Sequence, residues 1–220
     1  MRDVLRIFQE RKEEIDLYFQ HLNVFLIEDA SIKLNDNSSY KLDVETKHIL
    51  KANAFLLLYN VIECSIVQGI EAIYIDIIDK GLDYSQVKEN IQKELIANIQ
   101  KNYSTDRFVR EVVDIAIDIM ECYPNRLFSG NVNGEIIKDV ALKYGFSYKV
   151  KGAIGKNIGK RLNTVKDKRN DLAHGSISFK ECGQDYSIEE LNLIKKEIII
   201  FVKGILDNID AFIRNQDYKR

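Results

Sequence analysis

Proline, cysteine and histidine are scarce in this chain: one, three and three among 220 residues. The single proline, Pro124, leaves long stretches in which nothing bars a helix interior. Cys64, Cys122 and Cys182 are odd in number and scattered, so they form neither a disulfide framework nor a metal-ligand spacing. His21 and His48 have no His, Cys or paired acid near them at ligand spacing and read as surface residues. Zinc and EF-hand patterns are missing, and no metal or cofactor is expected. Serine and cysteine nucleophile motifs are also missing. The glycine-rich stretch GAIGKNIGK (152–160) tempts a phosphate-loop reading but lacks the Gly-x4-Gly-Lys-Ser/Thr spacing; its glycines fit close helix approach or a loop. No apolar run approaches the length of a membrane span. Arg2, Arg6, Arg11 and several acids crowd the start, which does not read as a signal peptide. A cytoplasmic chain with no membrane partner is expected. The net charge of −2 excludes a uniformly basic nucleic-acid binder.

What is present is helical periodicity. Hydrophobic residues make up 45% and charged residues 30% of the chain, the balance of a folded globular protein rather than a disordered one. The expected class is all-α, a single helical-bundle domain over 1–220, with an N-terminal helix and loop (1–42) and a core bundle (43–215). Val4, Ile7, Phe8, Ile15, Tyr18, Phe19 and Leu22 recur at helical spacing over 2–27. Residues 31–42 are a polar loop or short hairpin. Residues 43–79 form a long, strongly apolar helix with Gly69 as its candidate break and Gly81 beyond its end. Helices are expected over 84–102 and over 105–121, the second introduced by Ser104-Thr105-Asp106 as a cap. A loop over 124–134 leads to a short helix over 135–144 that stops at Tyr144-Gly145, and residues 146–152 connect to the next helix. The last helix, 187–215, starts on Ser187 with Glu190 three residues on, a capping box.

The most informative block is Arg169-Asn170-Asp171-Leu172-Ala173-His174-Gly175. Arginine holds charge on a phosphate, and histidine moves protons near neutral pH. Leu162, Val165, Leu172 and Ala173 define an apolar stripe along a helix ending near Gly175, and Arg169 projects into its middle. A charge there needs an ionic partner, a ligand or a subunit interface. Asn163, Asn170 and His174 share a neighbouring face. The spacing alone is weak: with ten Arg and three His, about 0.14 chance matches to Arg-x4-His are expected, and an inter-helix ion pair plus a helix-end histidine would explain it.

Charge distribution adds to it. Residues 149–170 hold eight Lys or Arg (Lys149, Lys151, Lys156, Lys160, Arg161, Lys166, Lys168, Arg169) against Asp167, a net +7, which leaves −9 for the remainder. Such a stretch attracts a phosphate backbone, with Lys160, Arg161, Lys166 and Lys168 as candidate RNA contacts; a solvated helix face is the plain alternative. Asn60 and Glu63 lie in LLLYNVIECSIV, apolar nearly all round. A buried acid there must be paired or carry a raised pKa. Glu63 either pins Arg169 or belongs to a structural ion pair, and the two are compatible.

Residues 165–183, VKDKRNDLAHGSISFKECG, resemble the HEPN superfamily, in particular its prokaryotic branch with an extended RNxLAHG…SFxExG block. Arg169, Asn170, Leu172, Ala173, His174, Gly175, Ser178, Phe179, Glu181 and Gly183 carry the match. LLLYNVIE (56–63) and SGNVNGEIIKDVALKYGF (129–146) support it. The resemblance implies a HEPN-like helical bundle with additional N-terminal helices and a homodimer with a site where two motif helices meet. It also implies metal-independent RNA cleavage in a toxin–antitoxin or phage-defence setting, with an antitoxin or defence protein as a further partner. By carry-over, Arg169 and His174 form the catalytic pair and Asn170 positions them, with Asn60 and Glu63 in support. RNA supplies its own 2′-hydroxyl nucleophile, so the products would be a 2′,3′-cyclic phosphate and a 5′-hydroxyl. Two positions depart from the pattern: Ser176 stands where some relatives carry a tyrosine that an antitoxin modifies, and Gln184 where many carry arginine. The alternatives are a catalytically silent HEPN module that binds nucleotide, RNA or a nuclease partner, and a plain helical dimerisation protein in a defence assembly.

Overall fold

A computed structural model describes residues 1–27, 30–102, 131–150 and 157–220. The expected helix over 105–121, Cys122, most of the 124–134 loop, and Lys151 and Lys156 of the basic stretch lie outside the described residues. Among those described, helices dominate: α1 (Arg2–Leu26), α2 (Val44–Asp79), α3 (Glu89–Asn102), α4 (Gly134–Tyr144), α5 (Ile158–Ala173), α6 (Phe179–Gln184) and α7 (Ile188–Arg214). A two-stranded antiparallel hairpin, β1 (Ser31–Lys33) with β2 (Ser39–Lys41), pairs Ile32 with Tyr40. The fold is all-α, as the periodicity predicts.

The chain divides into two compact units. One comprises Arg6–Ile62 and Gly152–Phe201, the other Met1–Leu5, Glu63–Lys151 and Val202–Arg220. Helices α1, α2 and α7 each give residues to both.

In the first unit, α1 buries Phe8, Ile15, Phe19 and Leu22, and α2 buries Phe55, Leu58 and Tyr59. Leu162 and Val165 of α5, Cys182 of α6, and Leu191, Ile194 and Ile198 of α7 join the buried set. Polar ties hold the helices in register. Lys195 Nζ donates to Asp16 Oδ1 at 2.8 Å, Asn192 Nδ2 to Asn23 Oδ1 at 2.8 Å, and the Tyr18 hydroxyl to the Leu50 carbonyl. Burial opposes ionisation of Asp16, but hydrogen bonds from Lys12 and Lys195 outweigh it and hold its carboxyl below the usual carboxylate range.

In the second unit, Ile66, Ile70, Ile73 and Ile77 of α2 are buried with Ile91 of α3, Ile137 and Tyr144 of α4, and Val202, Ile205 and Ile209 of α7. Helix α2 runs through Gly69 without a break. The glycine serves packing: a Cβ there would come within 2.8 Å of Ile209 Cδ1. Helix α4 stops at Gly145 as expected, and Asn133 caps its start. Asn133 Oδ1 accepts the Ile136 N–H at 2.9 Å, and Gly145 ends the helix in the left-handed conformation.

The continuous helix expected over 84–102 is instead a 3-10 turn, Tyr84–Gln86, followed by α3. The interruption is tertiary. Val87 bridges Lys219, the Lys88 N–H donates to the Tyr218 carbonyl at 2.8 Å, and the Arg220 N–H to the Gln86 carbonyl at 3.0 Å. The C-terminal tail takes backbone bonds that a helix would have kept for itself.

Candidate functional site

Helix α5 carries the Arg169–Gly175 block at its C-terminal end. Leu162, Val165 and Leu172 are buried and build the expected stripe, whereas Ala173 is exposed. His174 is the C-cap; its N–H donates to the Asn170 carbonyl at 2.9 Å, and its side chain is exposed. The helix then closes in a Schellman turn. Gly175 adopts φ +70°, its N–H reaching the Leu172 carbonyl at 3.4 Å, and the Ser176 N–H reaches the Asp171 carbonyl at 2.9 Å. Gly175 is therefore required by backbone conformation rather than by space, since a Cβ there would touch nothing within 4 Å among the described residues. Gly175→Ala is expected to cost about 1 kcal/mol by chemical denaturation. It should also misplace His174, which shares the turn.

Arg169 sits half-buried in the stripe, as its projection predicts. Its guanidinium carbon lies 4.2 Å from the centroid of the Tyr59 ring, and Nη1 donates to Asn170 Oδ1 at 2.8 Å. Asn170 is one turn before His174 on α5, so its side chain links the arginine to the face that carries the histidine. Asn163 occupies the same face two turns back. Its Oδ1 is buried with no hydrogen-bond partner among the described residues. A buried acceptor left unsatisfied is uncommon and costly.

The other candidates fall out unequally. Asn60 is exposed on α2 rather than enclosed. Glu63 is half-buried, one turn beyond Tyr59 on the same helix, and falls in the other unit. Lys160 is exposed. Arg161 faces two carboxylates, Glu197 at 3.3 Å and Glu190 at 3.4 Å. Lys166 lies 2.8 Å from Asp167. Lys168 lies 3.9 Å from Asp185 and over the Tyr186 ring. Two of these four cations, Arg161 and Lys168, thus meet acids from outside the +7 stretch, whereas Asp167 beside Lys166 is already counted within it.

Helix α6 was not legible from periodicity, being only six residues long, but its start signal is in the chain. Ser178 Oγ accepts the Glu181 N–H at 3.1 Å and Glu181 Oε2 accepts the Ser178 N–H at 2.9 Å, a capping box. Hydrogen bonds from the Ser178 hydroxyl and backbone hold the Glu181 carboxyl below its ordinary value. At Gly183, α6 meets the α2 backbone: an added Cβ would stand 1.8 Å from the His48 carbonyl oxygen. His48, read as a surface residue, is half-buried here, with Nδ1 shielded and unpartnered among the described residues. His21 is exposed on α1, its Nδ1 2.9 Å from the Leu17 carbonyl oxygen. The second half of the sequence block is thus a helix cap and a close-contact glycine, a structural device that docks α6 behind the motif turn.

Asp171, Ser176, Ile177, Glu181, Gln184 and Asp185 line a cavity of about 540 Å³. Three of the six are carboxylates, so this side of the turn disfavours a phosphate. Both departures from the family pattern, Ser176 and Gln184, open onto it. No group of three or more His, Cys, Asp or Glu with metal-holding geometry occurs among the described residues. No helix among them is long and apolar enough to cross a membrane.

A helical domain that ends one helix on Arg-Asn-x3-His-Gly, with the histidine exposed and the arginine braced, is of the HEPN class. The chain matches the HEPN_MAE_28990-like HEPN family over residues 3–218 and belongs to it. No curated protein and no solved structure matches the chain.

Proposed function

We propose that this chain is a metal-independent endoribonuclease of the HEPN type, working in a toxin–antitoxin or phage-defence setting as a homodimer. The observation that carries the reading is the exposed His174 on a rigid turn, one helical turn from an Asn170 that holds Arg169. A proton-transfer group reachable by substrate and a braced guanidinium are what 2′-hydroxyl attack on a phosphodiester requires. Acid–base cleavage uses two proton carriers, and a two-fold dimer supplies His174 twice. Arg169 of each protomer would stabilise charge on the phosphorane, with Asn170 setting its direction and Glu63 and Asn60 in support from α2.

The test is incubation of end-labelled RNA with purified protein, with and without EDTA. Cleavage that ignores EDTA, ends in 2′,3′-cyclic phosphate and falls at least about 100-fold in Arg169→Ala supports the reading. Cleavage that stops with EDTA, or survives in Arg169→Ala, rejects it. The carboxylates beside Arg161 and Lys168 weaken the pull of the basic stretch on RNA, and the second reading is a HEPN module that binds nucleotide, RNA or a nuclease partner without turnover. Binding of RNA by wild type with no products would select it.

A further inference from the structure

Tyr59 is fully buried, yet its ring is spent on a charged group. Its side chain is 0% exposed, it lies on α2, and the Arg169 guanidinium carbon is 4.2 Å from its ring centroid. Both residues belong to the same compact unit. A guanidinium has two faces and an in-plane rim of N–H donors. An aromatic ring takes a face, by cation–π attraction and stacking, and does not compete for the rim. Nη1 gives one rim donor to Asn170 Oδ1. The ring constrains the plane of the guanidinium, and the amide constrains its rotation within that plane.

We infer that Tyr59 is the positioning residue of the site: it is the platform that sets the plane of Arg169 and so aims its in-plane donors at a phosphate on the Asn170–His174 face. This deepens the endoribonuclease reading and rests on it for the identity of the anion. Tyr59 touches no substrate; it acts through Arg169. Lysine at 169 would carry the charge but has no plane to stack and no fork to aim.

The experiment compares Tyr59→Phe, which keeps the ring, with Tyr59→Leu, which keeps apolar bulk but removes the π-face, alone and in Arg169→Ala. Three measurements are made on full-length protein: RNA cleavage, binding of a 2′-O-methyl RNA that cannot be cut, and the ring-current shift of the Arg169 side-chain NMR signals. Circular dichroism melts establish that each variant is folded. The expected result is cleavage within about 3-fold of wild type for Tyr59→Phe and a loss of about 10-fold or more, mainly in kcat, for Tyr59→Leu. In the Arg169→Ala background, Tyr59→Leu should have no further effect, because the platform then holds nothing. The Arg169 signals should be ring-shifted in wild type and Tyr59→Phe and unshifted in Tyr59→Leu. A Tyr59→Leu loss that persists in the Arg169→Ala background, or a folded Tyr59→Leu protein as active as wild type, would overturn the inference. So would the absence of a ring-current shift in wild type. If wild type neither cuts nor binds RNA, the endoribonuclease reading fails, and the aiming of Arg169 at RNA fails with it. The ring-current shift then still decides whether Tyr59 orients Arg169.

Discussion

Replacing His174 with alanine should leave a folded protein that no longer cuts RNA. The two halves of this outcome have separate physical grounds. The imidazole is exposed, and the backbone bond from residue 174 to the Asn170 carbonyl does not depend on the side chain. Residue 174 has φ −93° and ψ −2°, a conformation alanine adopts readily. A substitution of this kind normally changes stability by less than about 0.5 kcal/mol. Its effect on rate is of another order. Loss of a positioned general acid or base lowers turnover by about 10²- to 10⁴-fold, and in a symmetric dimer one substitution removes both. Mixed dimers make the prediction sharper. If the two histidines act as acid and base in one composite site, equal amounts of wild type and His174→Ala, unfolded and refolded together, should give about a quarter of the activity per dimer. Activity of about one half would mean that each protomer works alone. A variant that melts like wild type and cuts at the wild-type rate would remove His174 from the mechanism.

Gly183→Ala should be the most damaging single-methyl addition in the Arg169–Gly183 region. The added Cβ would sit 1.8 Å from the His48 carbonyl oxygen and 2.6 Å from its carbon. These are backbone atoms, so no rotamer change relieves the overlap; α6 must lift from α2. Overpacking of this severity costs about 3 kcal/mol or more, a fall of roughly 6–12 °C in Tm for a chain of this size. Cys182, fully buried next to Gly183, gives a local reporter. Its thiol should react slowly with a thiol reagent in wild type and much faster in the variant. Gly159→Ala is the control, since a Cβ there meets nothing within 4 Å among the described residues and α5 should gain from losing a glycine. Equal melting of Gly183→Ala and wild type would show that α6 does not pack as described.

Much of this was legible in the chain. The stripe of Leu162, Val165 and Leu172 placed Arg169 on the inner side of α5, and the Gly175 stop put His174 at the helix end. These features depend on a period of 3.6 and on local turn chemistry, which short windows carry. The break between Tyr84–Gln86 and α3 was not legible, because its cause is the C-terminal tail more than 120 residues away. The setting of His48 was likewise hidden: a contact between backbones leaves no mark except the glycine that permits it.

The sequence by itself determined the helical class, the HEPN membership and the choice of candidate site residues, because periodicity, caps and a dense motif block are local properties. Only the tertiary structure decided what surrounds those residues. It put Tyr59 beneath Arg169, Asn170 at its edge, carboxylates against Arg161 and Lys168, and an acidic cavity beside the motif turn. Each of these joins α5 either to another segment or to the field of charges around it. A guanidinium's plane and a cation's effective charge are set by such neighbours in space, which residue spacing along one helix does not specify.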